Sequence, residues 1–469
     1  MARAASGAAR YNGHGFRRPC GIPLVRDMPV SQEAILTLRQ LLVRAGAIIE
    51  RERFVRHFHV IRLLPIMLLP AIILAACEPV NPSPPVQQPT PQHPQNGFLH
   101  TERGQIVDDS GNVVHLTGVN WFGMETGFFA PEGLEVRNWQ SMLDQIAAAG
   151  FNTIRFPFSS QFLDDPTSLP QHINYAKNPD LKGLHGLSLL DRLIWGAHQR
   201  GLKVILDRHR PTAEGQTALW YTNEVPESRW IADWVMLAKH YGNNDTVIGA
   251  DISAEPHGPT TWGSGDVRTD WRLAAERAGD AILKANPHWL IIVEGIEQYG
   301  GGLYWWGGNL QGAGKYPVRL SKPDKLVYSA HDYGPEVYPQ GWFYAAGFPK
   351  NLTSIWDRHW AYLQLNGTAP VLIGEFGARA VDQGVEGVWF QSLVRFMKQH
   401  GFSYTYWAWN PDSADTGGLL NSDWTTLDQA KLRILATYQA PLLDKPIKPI
   451  KPIKLTPTPS PTMPGQAGG

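Results

Sequence analysis

Eight strand-like runs punctuate the middle of this chain, and stretches of helical periodicity separate most of them. The runs begin at Val113 (VVHLTGVNWFG), Thr153 (TIRFPFS), Lys203 (KVILDRHR), Val247 (VIGADISAEP), Leu290 (LIIVEGI), Leu326 (LVYSAHDY), Val371 (VLIGEFG) and Ser403 (SYTYWAWNP). Most are β-branched or aromatic without strict alternation, the pattern of strands buried on both faces. Between the first two, Asn138–Gly150 puts Trp139, Met142, Leu143, Ile146 and Ala147 on one helical face, and Gly150 can end the helix. Stretches from Leu187, Arg229, Asp270, Leu352 and Val388 read alike, whereas the fifth connection, from Glu297 (EQYGGGLYWWGGNLQGAG), is loop-like. Strands alternating with helices over this length predict an α/β chain folded as one (β/α)8 TIM barrel across residues 97–442. The competing arrangement is an open doubly wound sheet. No Gly-rich phosphate loop follows the first strand, which counts against it.

The flanks differ in composition. Leu63–Cys77 (LLPIMLLPAIILAAC) is the only long apolar run. It is short for a spanning helix, which needs about 20 residues, and prolines interrupt it. With the basic residues before it and its small-residue end, residues 55–77 read as a secretory signal. The ending Leu-Ala-Ala-Cys resembles a bacterial lipobox and makes Cys77 the expected lipidation site. Before it, Met1–Arg62 carries eleven Arg, no Lys and four acids. So long a preface to a signal suggests that residues 1–54 precede the true translation start, with Val55 as the candidate. Residues 78–96 are Pro/Gln-rich and are expected as an extended spacer. Residues 443–469, a Lys-Pro-Ile repeat followed by a Pro/Thr tract, are expected as a disordered tail.

Charge narrows the partners. Lys and Arg number 42, as do Asp and Glu, so the formal net charge is zero. A nucleic-acid partner would favour a basic surface and is not expected. The two cysteines, Cys20 and Cys77, cannot form a disulfide framework. No Cys/His cluster has metal-ligand spacing. The acidic turn Asn410–Gly418 lacks EF-hand spacing and is expected as an ordinary loop. Neither a metal nor a cofactor is therefore expected. Most of the 18 Trp should be core, but several stand beside Gly, Asn and Pro, as in LYWWGGN. Exposed aromatic faces suit the apolar C–H faces of sugars.

In such barrels the chemistry sits at the C-terminal ends of the strands. Polar residues collect there: Arg155, Asp207, His209, Glu255, His331, Tyr333 and Glu375, with Trp407 and Trp409 at the eighth strand. Burying one charge could serve a structural ion pair, but so many on one face mark a site. The pair Glu255 and Glu375 points to glycoside hydrolysis, which uses one protonated carboxyl and one nucleophilic carboxylate.

The motifs GVNWFGMETG (Gly118), NTIRFP (Asn152), ILDRHRP (Ile205), ALWYT (Ala218), DWRLAAERAG (Asp270), YWWGGNLQGAG (Tyr304), YSAHDY (Tyr328), GEFG (Gly374) and WAWNPDSADTGG (Trp407) resemble glycoside hydrolase family 5, and within it the bacterial endo-β-1,4-glucanases. The resemblance covers nearly all of residues 97–442. It implies Glu255 as acid/base and Glu375 as nucleophile of a retaining reaction. Arg155 and Tyr333 would hold the nucleophile, His209 and His331 would bind the sugar at the cleavage point, and Trp407 would be its stacking platform. Trp121 and Trp306 join the expected substrate-binding set. Relatives of this type can carry disulfides, whereas this barrel has no Cys.

One position departs. The family has Asn-Glu-Pro, and this chain has Ala254-Glu255-Pro256. The Asn donates to the sugar 2-hydroxyl, a contact that strengthens in the transition state. Its loss implies a slowed endoglucanase. Two other readings stay open: a surface-tethered glycan-binding protein without useful turnover, and a β-mannanase or mixed-linkage glucanase. The expected partner is a β-glucan polysaccharide, with membrane contact only through lipid at Cys77. A monomer, exported to the cell envelope or the medium, is expected.

Overall fold

The computed structural model describes residues 97–455, except 165, 448 and 454. The N-terminal extension, the segment ending at Cys77, the spacer through residue 96 and the tail beyond 455 lie outside the described residues.

The described chain opens with an antiparallel sheet of β1 (His100–Glu102), β2 (Gln105–Val107) and β3 (Val113–Val114). The barrel then begins with β4 (Thr117–Asn120), β5 (Thr153–Ser159), β6 (Lys203–Arg210), β7 (Val247–Asp251) and β8 (Leu290–Glu294). A hairpin of β9 (Gln298–Tyr299) and β10 (Gly302–Leu303) stands apart from it. β11 (Leu326–His331), β12 (Val371–Glu375) and β13 (Ser403–Tyr406) complete it, and parallel pairing of β13 with β4 closes the ring. The expected (β/α)8 barrel is the observed fold.

The run from Val113 splits in two. Val113–Val114 pairs with β2, and the barrel strand starts only at Thr117. The apolar composition is the same on both sides of the break, so the run reads as one strand. The small sheet is not idle. Leu99, Ile106, Val114 and Leu116 pack with Ile205, Ile248, Leu290, Ile292, Val327 and Leu372 from the barrel strands. They stopper the end of the barrel where the strands begin, and Nζ of Lys325 donates to the carbonyl of Leu99 at 2.8 Å.

Helices α1 (Trp139–Ala148), α2 (Gly186–His198), α3 (Glu227–His240) and α4 (Trp271–Ala285) follow β4 to β7 in turn. The side chain of Asn138 caps α1 by accepting from the Ser141 amide at 3.0 Å, a contact worth about 1 kcal/mol. The five residues assigned to its inner face are its buried ones. The stretch from Leu352 is not one helix. It is α5 (Leu352–Trp356), a π-helical turn over Asp357–Ala361, and α6 (Tyr362–Leu365). α7 (Gly384–His400) ends at Gly401, whose φ of 71° suits glycine, and α8 (Gln429–Leu435) follows the last strand. Among the described residues, no helix is long and apolar enough to cross a membrane.

The described part of the Lys-Pro-Ile segment makes contacts with the barrel. Asp444 is nearly buried and pairs with the fully buried Nζ of Lys203 at 2.7 Å. The amide of Ile447 donates to the carbonyl of Gln199 at 3.1 Å, and that of Ile453 to Ala148 at 2.9 Å. Ile450 and Ile453 pack against the core. Ile447, three residues earlier in the repeat, stays 61% exposed, so the packing is confined to these two isoleucines. Composition registers the prolines and misses that contact. The segment crosses the C-terminal ends of α1 and α2, on the same end of the barrel as the stopper.

Truncation after Leu442 should therefore destabilise the barrel while leaving kcat unchanged. Removing a partner from a buried pair costs about 3–5 kcal/mol, here shared with Asp245 at 3.2 Å from Lys203. At about 2 °C per kcal/mol, a Tm loss of roughly 6–10 °C by calorimetry is expected. An unchanged Tm would mean that the segment contributes no net stability.

Candidate active site

Seven successive barrel strands each contribute a polar side chain to one layer, five of them from their last residue and β5 and β6 from within the strand. The order is Asn120 (β4), Arg155 (β5), Asp207 (β6), Asp251 (β7), Glu294 (β8), His331 (β11) and Glu375 (β12). Arg155 is their hub and is fully buried. Its Nη1 donates to Glu375 Oε1 at 2.8 Å and to Asn120 Oδ1 at 2.9 Å. Its Nε donates to Asp251 at 2.9 Å, and Nη2 lies 3.0 Å from Glu294 and 3.1 Å from Asp207. Arg155 thus reaches Glu375 with its nitrogens engaged inside this layer.

Glu255 follows β7, with a left-handed backbone at φ 52°. Its carboxyl meets Nδ1 of His331 at 3.0 Å and accepts from Gln216 Nε2 at 3.1 Å. The same Nδ1 lies 3.6 Å from Glu375, whose other contacts are the Tyr333 hydroxyl, donating at 2.8 Å, and His209 at 3.8 Å. His209 is oriented by Asp207 at 2.7 Å. One oxygen of Glu255 and one of Glu375 lie within 4.8 Å of each other. Inverting glycosidases need about 6.5–9.5 Å between carboxyls, and retaining ones about 5–5.5 Å.

The two glutamates differ in acidity. Burial pushes Glu375 up, but the charges of His331, Arg155 and His209 and the Tyr333 hydroxyl prevail and bring it down to about 2. Burial also pushes Glu255 up. The His331 bond opposes this, the charges of Glu375 and Glu294 reinforce it, and the net shift is upward. Burial disfavours the His331 cation, yet Glu294, Glu375 and Glu255 hold its pKa well above the ordinary value. Asp251 is raised by burial and by Glu294. The layer thus sets Arg155, His209 and His331 among the carboxyl groups of Asp207, Asp251, Glu255, Glu294 and Glu375. A pair of carboxyls pushed apart in acidity is equipped for acid and nucleophile.

Aromatic positions divide. Trp407 is part-exposed and lies nearly parallel to Phe122 and to His209, at ring distances of 5.4 and 5.3 Å. Trp306 is 43% exposed and lies flat on His257 at 3.7 Å. Trp121, expected to touch substrate, has no exposed surface; its indole donates to the Glu132 carbonyl inside the core. Trp409 is buried likewise, and Tyr304 and Trp305 of the LYWWGGN motif are nearly so. Ala254 is 4% exposed, its amide bound to the Arg208 carbonyl at 3.2 Å.

The sequence reading does not include Asn120, Asp251 and Glu294, though each ends a barrel strand, the signal that marks Glu375. Gln216 has no such signal, because it comes from a loop.

A parallel barrel with two facing glutamates of divided acidity at its strand ends defines a glycoside hydrolase. Residues 107–413 match the family model described as cellulase, glycosyl hydrolase family 5. The chain belongs to that family. It is 51% identical over 351 residues to an endoglucanase of Paenibacillus polymyxa, covering 74% of this chain and 88% of that one. It is 43% identical to the major extracellular endoglucanase of Xanthomonas campestris pv. campestris, over 71% of this chain and 69% of that one. Among solved structures, an endocellulase of Pyrococcus horikoshii in complex with cellotetraose superposes with a TM-score of 0.70 at 42% identity, covering 74% of this chain and 99% of that one.

Proposed function

We propose that this chain is a retaining endo-β-1,4-glucanase that cuts internal bonds of cellulose and related glucans. The observation that carries the reading is the split acidity of Glu255 and Glu375 across a shared His331. Glu375, ionised, attacks the anomeric carbon while Glu255 protonates the departing oxygen. Glu255, now a carboxylate, then draws a proton from the water that hydrolyses the glycosyl-enzyme. Tyr333 and Arg155 hold the nucleophile, and His209 and His331 face the sugar from the same layer. The exposed faces of Trp407 and Trp306 are suited to stack on glucose rings. Cellotetraose bound to the Pyrococcus horikoshii relative supports a cello-oligosaccharide ligand. A protein that only binds glucan has no need of two carboxyls held at opposite acidities.

The test is the dependence on leaving group. Glu255→Ala should lower kcat/KM on aryl β-cellobiosides with poor leaving groups by about 10²–10⁴-fold, and far less with good ones, which depart without a proton. Equal losses on both would remove Glu255 from the role of acid.

The lipobox reading of Cys77 gives an enzyme exported and tethered to the cell envelope; the extracellular relative supports export alone. A single acyl chain binds membranes only marginally, and stable anchoring takes more than one. In the native host, Cys77→Ser should move activity from the membrane fraction to the medium. Finding the unaltered protein free in the medium would sink the anchor.

A further inference from the structure

Glu294 closes β8, is fully buried, and has no role in the scheme above. Its Oε2 accepts from the main-chain amide of Glu255 at 2.6 Å. Its Oε1 accepts from Arg155 Nη2 at 3.0 Å and lies 3.2 Å from Nε2 of His331. It therefore acts on Glu255 twice. One contact holds the main chain, which stands at φ 52°, a conformation that persists only where the surroundings fix it. The other is a charge contact, without hydrogen-bond geometry, to the far nitrogen of the imidazole whose near nitrogen meets the Glu255 carboxyl.

The Glu375 side is different. Glu375 is held by Arg155 Nη1 and by the Tyr333 hydroxyl, and Arg155 keeps Asp207, Asp251 and Asn120 as further partners. Glu294 reaches Glu375 only through Arg155 and His331, whereas it bonds the main chain of Glu255 directly. It also has little room to move. A Cβ on Gly307 would stand 2.4 Å from its Oε2, and the Gly307 carbonyl is tied to the Gly295 amide at 2.8 Å. The Trp306–Gly307 loop is thereby pressed against this carboxylate.

We propose that Glu294 is the positioning residue of the acid/base. It fixes the main chain and the imidazole that aim the Glu255 carboxyl, and so governs protonation of the leaving oxygen rather than nucleophilic attack. This rests on the reading of Glu255 as acid/base.

Glu294→Gln keeps an oxygen for the Glu255 amide but removes the charge opposite His331. Glu294→Asp keeps the charge and shortens the reach. In the full-length protein, both should lower kcat/KM on phenyl β-cellobioside by about 10²-fold, and on 2,4-dinitrophenyl β-cellobioside by less than about 10-fold. A purely structural role moves both substrates together. Equal losses, or no loss on either, would overturn the inference; should one variant fail to fold, the other decides on the same pair. Glu255→Ala measured alongside separates the two claims. If it discriminates between the substrates and the Glu294 variants do not, only the role of Glu294 falls. If it does not discriminate, the reading of Glu255 itself has failed.

Discussion

Replacing Glu375 by alanine will reduce hydrolysis of cellulosic substrates by roughly 10⁵–10⁶-fold, the scale on which nucleophile removal acts in covalent catalysis. No neighbour can substitute. His331 and Arg155 are donors, Asp207 and Glu294 are engaged with them, and Glu255 is raised in pKa where Glu375 is brought to about 2. Two features make the expectation specific. A 2-deoxy-2-fluoro-glycoside with a good leaving group should esterify Glu375 in the unaltered enzyme, since fluorine slows breakdown of the intermediate. Azide should restore turnover of an activated substrate by the alanine variant, entering from the vacated side and giving a product of inverted configuration. A label on any other residue, or more than about 1% residual activity on cellulose, would displace Glu375 from the role.

Ala254→Asn is expected to act in the opposite direction. Restoring a donor to the sugar 2-hydroxyl should raise kcat by roughly 10²-fold, from about 2.7 kcal/mol of transition-state stabilisation at about 1.4 kcal/mol per decade. KM should change little, because the bond tightens mainly at the barrier. The site around the substitution is otherwise intact. Both carboxyls, His331, Tyr333 and Arg155 keep their contacts, and the Ala254 amide remains bound to β6. The loss is therefore local and should be reversible by one side chain. If the unaltered enzyme turns over at rates ordinary for its class and the asparagine adds nothing, that donor is dispensable here.

The barrel was legible because its strands are buried on both faces and its helices on one, and both patterns are written in apolar spacing. Val113–Val114 misled because burial against a stopper selects the same residues as burial in a barrel. Glu255 and Glu375 stand out by motif. Asn120, Asp251 and Glu294 carry the same strand-end signal as Glu375, yet only closure of the ring brings them onto one guanidinium. Trp121 and Trp407 have similar neighbours in the chain. One ring turns into the core and the other keeps an exposed face, a difference that lies in tertiary packing. In the Lys-Pro-Ile repeat, proline content reads as disorder, while the contacts of Ile450 and Ile453 with the core come from tertiary packing.

The stopper and the docked Lys-Pro-Ile segment meet the barrel at the same end, where its strands start, and the glutamates lie at the other. The described chain thus enters and leaves on the side remote from the chemistry. Sequence attached at either flank therefore starts away from the catalytic mouth and leaves that mouth uncovered. Lengthening, exchanging or grafting sequence onto either flank should alter reach and orientation toward a solid surface, with no new obstruction over the bond being cut.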